Sequence, residues 1–474
     1  MLFTRRHLEP KWTESSTSGR SPVRNEETRR RPSRIERHAS RIVLAAMLLA
    51  VVGVSASCAS REDNAERSDD PIDGGSDTPD VDADAGVDAA TTRDAGWSDA
   101  APRPVVCTTP PCATALVTTL GARPDDLDEG YCALLDDGTV ACWGSNRAGQ
   151  LGRGEEAEGE GSSTPERVAG VSNIVELDHT CAVDKSGGVW CWGTGPFLRG
   201  DGGAPTTERT PVKLDLPAST KVGLGYDVAC AVVENGLRCW GSNADGQLGP
   251  LGSAEDGQPR LMKLPDGAPI RSLAVGRATF VLRDDGELLT WGANPPMGRM
   301  SSIFPDPYAA AVAVAGVSSV DLVYDDACAT AGGYGFCWGA RTHWKHTSAI
   351  GRALPQAVAS SEPLVQISTT RTHTLDWSDV QGTRWCAVGA SGVLYCWGLN
   401  TNGQAGDGTQ EFATRPTLVK GLPTEIAAVR STRDTTCALL TSGKVYCWGA
   451  NYYGQLGNGQ IRGRSLVPVE VLLP

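Results

Sequence analysis

Beyond residue 115, short apolar runs break at glycine-bearing turns and resume in mirror order, the pattern of β-hairpins rather than of helices. The clearest copies are residues 132–152, CALLDDGTVACWGSNRAGQLG, and residues 437–457, CALLTSGKVYCWGANYYGQLG. A Trp-Gly pair anchors seven copies, at Trp143, Trp192, Trp240, Trp291, Trp338, Trp397 and Trp448, at intervals of 49, 48, 51, 47, 59 and 51 residues. A period of about 50 residues holds roughly four strands with their turns, the content of one propeller blade. Both faces of the first hairpin are apolar: Cys132, Leu134, Val140 and Cys142 on one, Ala133, Leu135, Ala141 and Trp143 on the other. A sheet apolar on both faces must be sandwiched, and radial stacking does this while limiting exposed strand edges. The predicted architecture is all-β: a seven-bladed β-propeller of four-stranded blades over residues 105–474.

Register ties the cysteines together. Five copies carry a three-residue turn ending in glycine, at Gly138, Gly187, Gly286, Gly392 and Gly443, where a positive φ follows a type I turn. Counting outward from it, Cys132 faces Cys142, Cys181 faces Cys191, Cys386 faces Cys396 and Cys437 faces Cys447. In two shorter copies a two-residue turn, Gly332-Gly333 in the clearer case, restores the opposition of Cys230 with Cys239 and Cys328 with Cys337. The remaining copy has Phe280 and Thr290 there, so both partners are missing at once, as bonded pairs require. Directly opposed strand residues have Cα atoms about 4.5–5.5 Å apart, within disulfide range. Zinc is the rival reading, but these spacings lack the short knuckle of structural zinc sites and His is scarce. Cys107 and Cys112 are expected to bond locally.

The phrase CAL, a glycine turn and then W-G-x-N-x-x-G-Q-L-G resembles the regulator-of-chromosome-condensation family, whose members form seven-bladed propellers. The resemblance covers roughly three quarters of the chain. A WD-repeat reading lacks the Trp-Asp pair, and a sialidase Asp-box reading needs tryptophan three residues after glycine, whereas Trp143 lies five after Gly138. Most repeats open with a Pro-containing strand, such as 164–168 or 415–419, but the first does not. The strand at 466–471 is therefore expected to complete the first blade.

Charge divides the chain. Residues 1–41 carry 11 basic and 5 acidic side chains, residues 59–104 carry 4 and 13, and the remainder 28 and 38. An acidic core lacks the basic surface that drives counterion-releasing nucleic-acid binding, so no nucleic-acid partner is expected. Fifteen cysteines argue for an oxidising compartment. Residues 42–54 are uncharged, follow Arg37, His38 and Arg41, and precede Ser55, Ala56, Ser57 and Cys58. This reads as a signal peptide, too short to span the ~30 Å hydrocarbon core. The run into Cys58 resembles a bacterial lipoprotein processing site, although Ser55 stands where an aliphatic residue is usual. That resemblance implies that Cys58 is lipidated and becomes the mature N-terminus; the alternative is cleavage near Ala56 with Cys58 left as a spare thiol. Residues 1–57 thus read as leader and residues 58–104, rich in Asp and Ala, as a disordered tether. There Asp80, Asp82 and Asp84 imitate a calcium loop, but Gly86 falls one place late and Thr91 occupies the place of the bidentate Glu.

No nucleophile elbow, zinc-protease helix or phosphate loop occurs, and no cofactor or metal is expected. Turn aspartates such as Asp136 and Asp284 read as backbone caps. Gln150, Gln247, Gln404 and Gln455 read as groups that satisfy backbone atoms of the Gly-Gln turn. Function is sought instead where the repeat breaks: residues 196–200, 295–300 and 342–349 replace that turn, and an insertion occupies 371–384. These segments gather Phe197, Arg199, Met297, Arg299, His343, Trp344, Lys345, His346, His373 and Trp377, residue types of binding hot spots. Neutral loop drift is the competing explanation. The expected function is an exported, membrane-tethered monomer that binds a protein or other macromolecule. The alternatives are an extracellular hydrolase or lyase with its site in the funnel, or a structural envelope component.

Overall fold

The turn glycines adopt the backbone that their position demands. Gly138 has φ 77° and Gly443 φ 80°, while Gly332 and Gly333 both lie at positive φ in their two-residue turn. The computed structural model describes residues 101–474 except 125, 127, 155–160, 197–204, 251–258, 340–352, 372, 377–378 and 382, and not the side chains of 373–376 and 379–381. The leader, Cys58 and the tether up to residue 100 lie outside the described residues.

Seven four-stranded antiparallel sheets follow one another along the chain, at 113–167, 174–213, 219–262, 270–311, 317–358, 364–418 and 426–470. They form the seven-bladed propeller expected from the repeat. Each blade but the sixth is built from consecutive strands, and the first strand of every blade lines the central channel: Ala113–Thr118, Ile174–Asp178, Ser219–Leu224, Ile270–Val275, Val317–Val323, Leu364–Thr369 and Ile426–Ser431. Blade 6 carries an extra hairpin, His373–Asp376 with Asp379–Gln381.

The expected closure is not observed. The Pro-containing strands are the fourth and outermost of the blade they end, as in Gly161–Arg167 and Ala413–Leu418. An edge strand tolerates proline because one side of its ladder needs no donor. The C-terminal strand Arg464–Glu470 accordingly pairs with Val445–Ala450 and completes blade 7, not blade 1. The ring closes through packing and individual bonds. Leu116, Tyr131, Trp143, Leu439, Val445 and Val471 share one core cluster across the seam. On the chain entering blade 1, Val106 N–H donates to Thr441 O at 2.7 Å and Ala113 N–H to Gly443 O at 2.9 Å.

Disulfides join all six expected hairpin pairs and also Cys107 with Cys112. The hairpin pairs have Cα atoms 4.0–4.1 Å apart, closer than the sequence-based figure. The ladder explains the difference. Leu135 N–H donates to Thr139 O at 2.8 Å beside the turn, so three steps outward Cys132 and Cys142 occupy a non-hydrogen-bonded pair, where strands approach more closely. In blade 4, where the bond is missing, Phe280 stacks on Trp338 at 5.9 Å between centroids.

The Trp-Gly pair has two separable jobs. Gly144 takes φ 97°, and a Cβ there would lie 2.6 Å from Gly130 Cα, so only glycine permits this approach and the bulge beside it. The neighbouring indole reaches into the preceding blade. Trp192 donates to Gln150 O, Trp291 to Gln247 O, Trp448 to Gln404 O and, across the seam, Trp143 to Gln455 O. Where the Gly-Gln turn is replaced, Pro196 and Pro296 supply the carbonyl to Trp240 and Trp338. The side-chain oxygens of the same glutamines accept backbone N–H groups of their own turns, as expected of them.

Candidate functional site

Strand direction alternates within a blade, so the ends of the first and third strands and the start of the second share one face of the ring. A funnel open to solvent lies at the centre of that face and is lined from all seven blades. The strand ends flanking the divergent segments reach the same face. Gly195, Gly292 and Gly339 end the third strands of blades 2, 4 and 5, while Thr369 and Arg384 bracket the blade 6 insertion. The chain enters from the other side: Arg103, Pro104 and Val105 border a cavity with Thr114, Val175 and Ala427, at the opposite ends of the inner strands.

Of the ten residues singled out for partner binding, Phe197, Arg199, His343, Trp344, Lys345, His346 and Trp377 lie outside the described residues. His373 is placed only as backbone, paired with Gln381. Two assignments are corrected. Met297 is fully buried, packed in the cluster of Phe280, Leu288 and Trp338, so it cannot meet a partner. Arg299 is spent on its own blade: it donates to Asp306 Oδ2 at 2.8 Å, to Tyr308 O at 2.7 Å and to Thr290 O at 3.0 Å. Met297 follows Pro296 as Leu151 follows Gln150, so it takes the equally buried leucine position of the turn, and Thr290 Oγ1 donates to Met297 O at 2.7 Å.

The sequence held a signal for the funnel that the motif search passed over. Three residues before the first cysteine stands an acid in five copies: Glu129, Asp178, Asp227, Asp325 and Asp434. Asp178 belongs to an inner strand and accepts a hydrogen bond from Leu224 N–H of the next blade at 2.8 Å. The half-buried Asp321 does the same for Thr369 N–H, also at 2.8 Å, and burial raises its pKa. Asp178 and Asp321 thus bridge neighbouring blades by accepting backbone N–H groups, which gives these inner-strand carboxylates partners.

The mouth is chemically two-sided. On the side of blades 3 to 6, Tyr324 adopts φ 57°, a left-handed backbone that is costly for a bulky residue. The Arg371 guanidinium lies 4.2 Å from its ring centroid, the Arg277 guanidinium 5.8 Å, and Tyr226 meets it edge-on at 5.9 Å. Arg277 in turn holds Asp245 with two bonds of 3.0 Å. Burial raises the pKa of Asp325, and Arg371 and Arg277 oppose that rise. His179, also at positive φ, places Nδ1 2.8 Å from Thr118 O.

On the side of blades 7 and 1 the wall is acid and hydroxyl. Glu129 Oε1 accepts Asp434 N–H at 2.8 Å across the seam. Burial first, and then the nearby Asp434, push the Glu129 carboxyl up to about 8. Beneath it Arg384 is wholly buried and donates to Thr432 O at 2.6 Å and Thr435 O at 2.9 Å. Burial lowers this guanidinium to about 10. Among the described residues, no three His, Cys, Asp or Glu side chains converge as a metal site requires. What the mouth offers is a recognition surface, with aromatic and guanidinium groups on one wall and a buried carboxyl on the other.

Comparison with known proteins places this ring. Residues 128–150 and 426–455 match a model described as the regulator of chromosome condensation (RCC1) repeat, and residues 391–439 and 442–474 match a second model of the same description. The chain is similar to the ultraviolet-B receptor UVR8 of Arabidopsis thaliana, 28% identical over 360 residues, covering 72% of this chain and 68% of that protein. It is also similar to the human E3 ubiquitin-protein ligase HERC2, 26% identical over 73% of this chain but only 7% of that protein. Among solved structures, human WBSCR16 aligns with a TM-score of 0.57 at 20% identity, covering 71% of this chain and 95% of that one, a likeness of fold. The repeats are thus RCC1-like.

Proposed function

We propose that this ring of RCC1-like repeats is an exported, lipid-anchored scaffold that binds another protein across its funnel face. One observation carries the reading. The funnel, the two-sided mouth and the strand ends flanking every divergent segment share one face, while the chain enters the ring from the other. The described chain enters the ring at Arg103, on the side opposite that face. Rigid blades presenting variable loops are the arrangement in which binding residues concentrate. The relatives agree in kind: one is named a receptor and another a ligase that acts on protein. The leader and the seven disulfides, a bond type that persists in oxidising compartments, support export. Cys58 carries the lipid in this reading, and the outer membrane of a bacterial envelope holds it.

Capture from envelope extract with the full chain tests the binding. Trp344→Ala and Trp377→Ala are expected to reduce capture at least about tenfold, the scale of one hot-spot truncation, without lowering the melting temperature. Undiminished capture by both variants would leave loop drift as the explanation. Radiolabelled palmitate incorporated into the native chain but not into Cys58→Ala tests the anchor.

A further inference from the structure

At the chain-entry end of the channel lies a chamber open to solvent, whose titratable side chains among the described residues are Arg103, Arg430 and Glu176. Glu176 is already matched, its Oε2 accepting from Lys221 Nζ at 3.2 Å. The two guanidiniums are not. Arg430 Nη1 donates to the carbonyl of its neighbour Val429 at 3.1 Å, and Arg103 Nη2 donates to Ala390 O at 3.2 Å. Among the described residues neither has a carboxylate within ion-pair distance. A guanidinium presents five N–H donors in a planar fork, so each keeps most of its donors for a group from outside the ring. The two come from separate parts of the chain, Arg430 from the inner strand of blade 7 and Arg103 from the segment that enters blade 1, and only the fold brings them to one chamber.

We propose that this chamber binds a small organic monocarboxylate, whose carboxylate is received by Arg430 and Arg103. The site lies at the opposite end of the channel from the funnel and is independent of docking there. A carboxylate matches the guanidinium fork, with two oxygens accepting two parallel N–H groups. Val175, left 49% exposed, and Pro104 border the same chamber and give it an apolar flank, which suits an acid with an apolar body.

The rest of the channel limits the charge that the ligand can carry. The chamber opens into it, with Val117, Glu176, Leu177 and Arg430 bordering both. Farther along stand Asp178 and Asp321, each accepting a backbone N–H of the next blade. Asp321 feels the Arg430 charge without pairing to it. These two acids repel a doubly charged anion more than a singly charged one, which favours a carboxylate over phosphate. The acidity of the ring as a whole is screened beyond about 8 Å at physiological ionic strength, so the guanidiniums in the chamber decide the local preference.

Equilibrium dialysis of the full chain against radiolabelled benzoate tests the site, with benzamide as the uncharged control of the same shape. One saturable benzoate site is expected, with benzamide at least about tenfold weaker. Arg430→Gln should weaken benzoate at least about tenfold, and Arg430→Lys by less, since lysine keeps the charge without the fork. Arg103→Gln changes an exposed side chain and should also weaken benzoate, so it carries the test if Arg430→Gln lowers the melting temperature. Equal binding of benzoate and benzamide, or native affinity in both glutamine variants, overturns the proposal, as does tighter binding of inorganic phosphate. Benzoate binding that appears only after Asp94→Asn and Asp99→Asn are combined would show that carboxylates of the chain itself fill the chamber, and would overturn a free ligand as well.

Discussion

The indole N–H of Trp143 donates to the carbonyl of Gln455, 2.9 Å away and 312 positions distant in the chain. It is the seam member of the staple that joins each described blade turn to the tryptophan of the next. Both groups are buried, so Trp143→Phe leaves the Gln455 carbonyl without its donor and should cost about 1–3 kcal/mol. Trp192→Phe, inside the ring, should cost the same. Urea unfolding checks the pair, and a near-silent Trp143→Phe would mean that the seam is held by something other than these staples.

Removing residues 465–474 strips the outer strand of blade 7 and the buried Val471. Hydrogen exchange should then quicken in Val445–Ala450, which loses its ladder partner. Val140–Ser145 should stay protected, because blade 1 supplies its own fourth strand. Loss of protection in Val140–Ser145 equal to that in blade 7 would revive a shared-strand closure.

Replacing Cys386 and Cys396 together by serine opens a loop of ten residues and should cost at most about 2.7 kcal/mol, less because the hairpin already restrains its ends. Thermal denaturation measures it. A much larger loss would mean that the bond supplies stability beyond fixing register.

Glu129 predicts a pH dependence of a definite sign. In the folded ring its carboxyl holds a proton up to about pH 8, whereas the unfolded chain releases it near 4.5. Between these values the unfolded state binds fewer protons, so stability present below pH 4.5 is lost as pH rises towards 8. Other half-buried acids, Asp321 and Asp325 among them, push in the same direction, so the comparison must be with Glu129→Gln. That variant should match the native chain in melting temperature at pH 4 and exceed it at pH 8, the gap corresponding to several kcal/mol at most. Parallel melting curves across this range would show that Glu129 ionises freely.

Arg384 lies buried among carbonyl acceptors of blades 6 and 7, so Arg384→Ala should destabilise the ring by about 3–5 kcal/mol. A chemical-denaturation midpoint within experimental error of the native value would contradict its bridging role.

What could be read from the sequence, and what could not, follows the range of the interactions. Cys132 opposite Cys142 was legible because a turn of known length fixes every pair outward from Gly138, a matter of ten residues. The acids before the first cysteine were visible as letters, but not as blade bridges, since Asp178 finds its donor in Leu224, 46 positions away. Met297 looked like an exposed anchor because its loop lacks the Gly-Gln-Leu-Gly letters, and only the Trp338 bond to Pro296 O shows that it takes the buried place of Leu151.

By itself the sequence determined the blades: their number, their hairpins, their covalent pairs and the glycines at positive φ, all set by contacts within about fifty residues. Only the tertiary structure decided which sheet the last strand joins, which loops turn inward, and that Glu129 accepts the Asp434 N–H across the seam. Those outcomes depend on distances across the ring, where many pairings satisfy the same local pattern and the packing of the whole selects one.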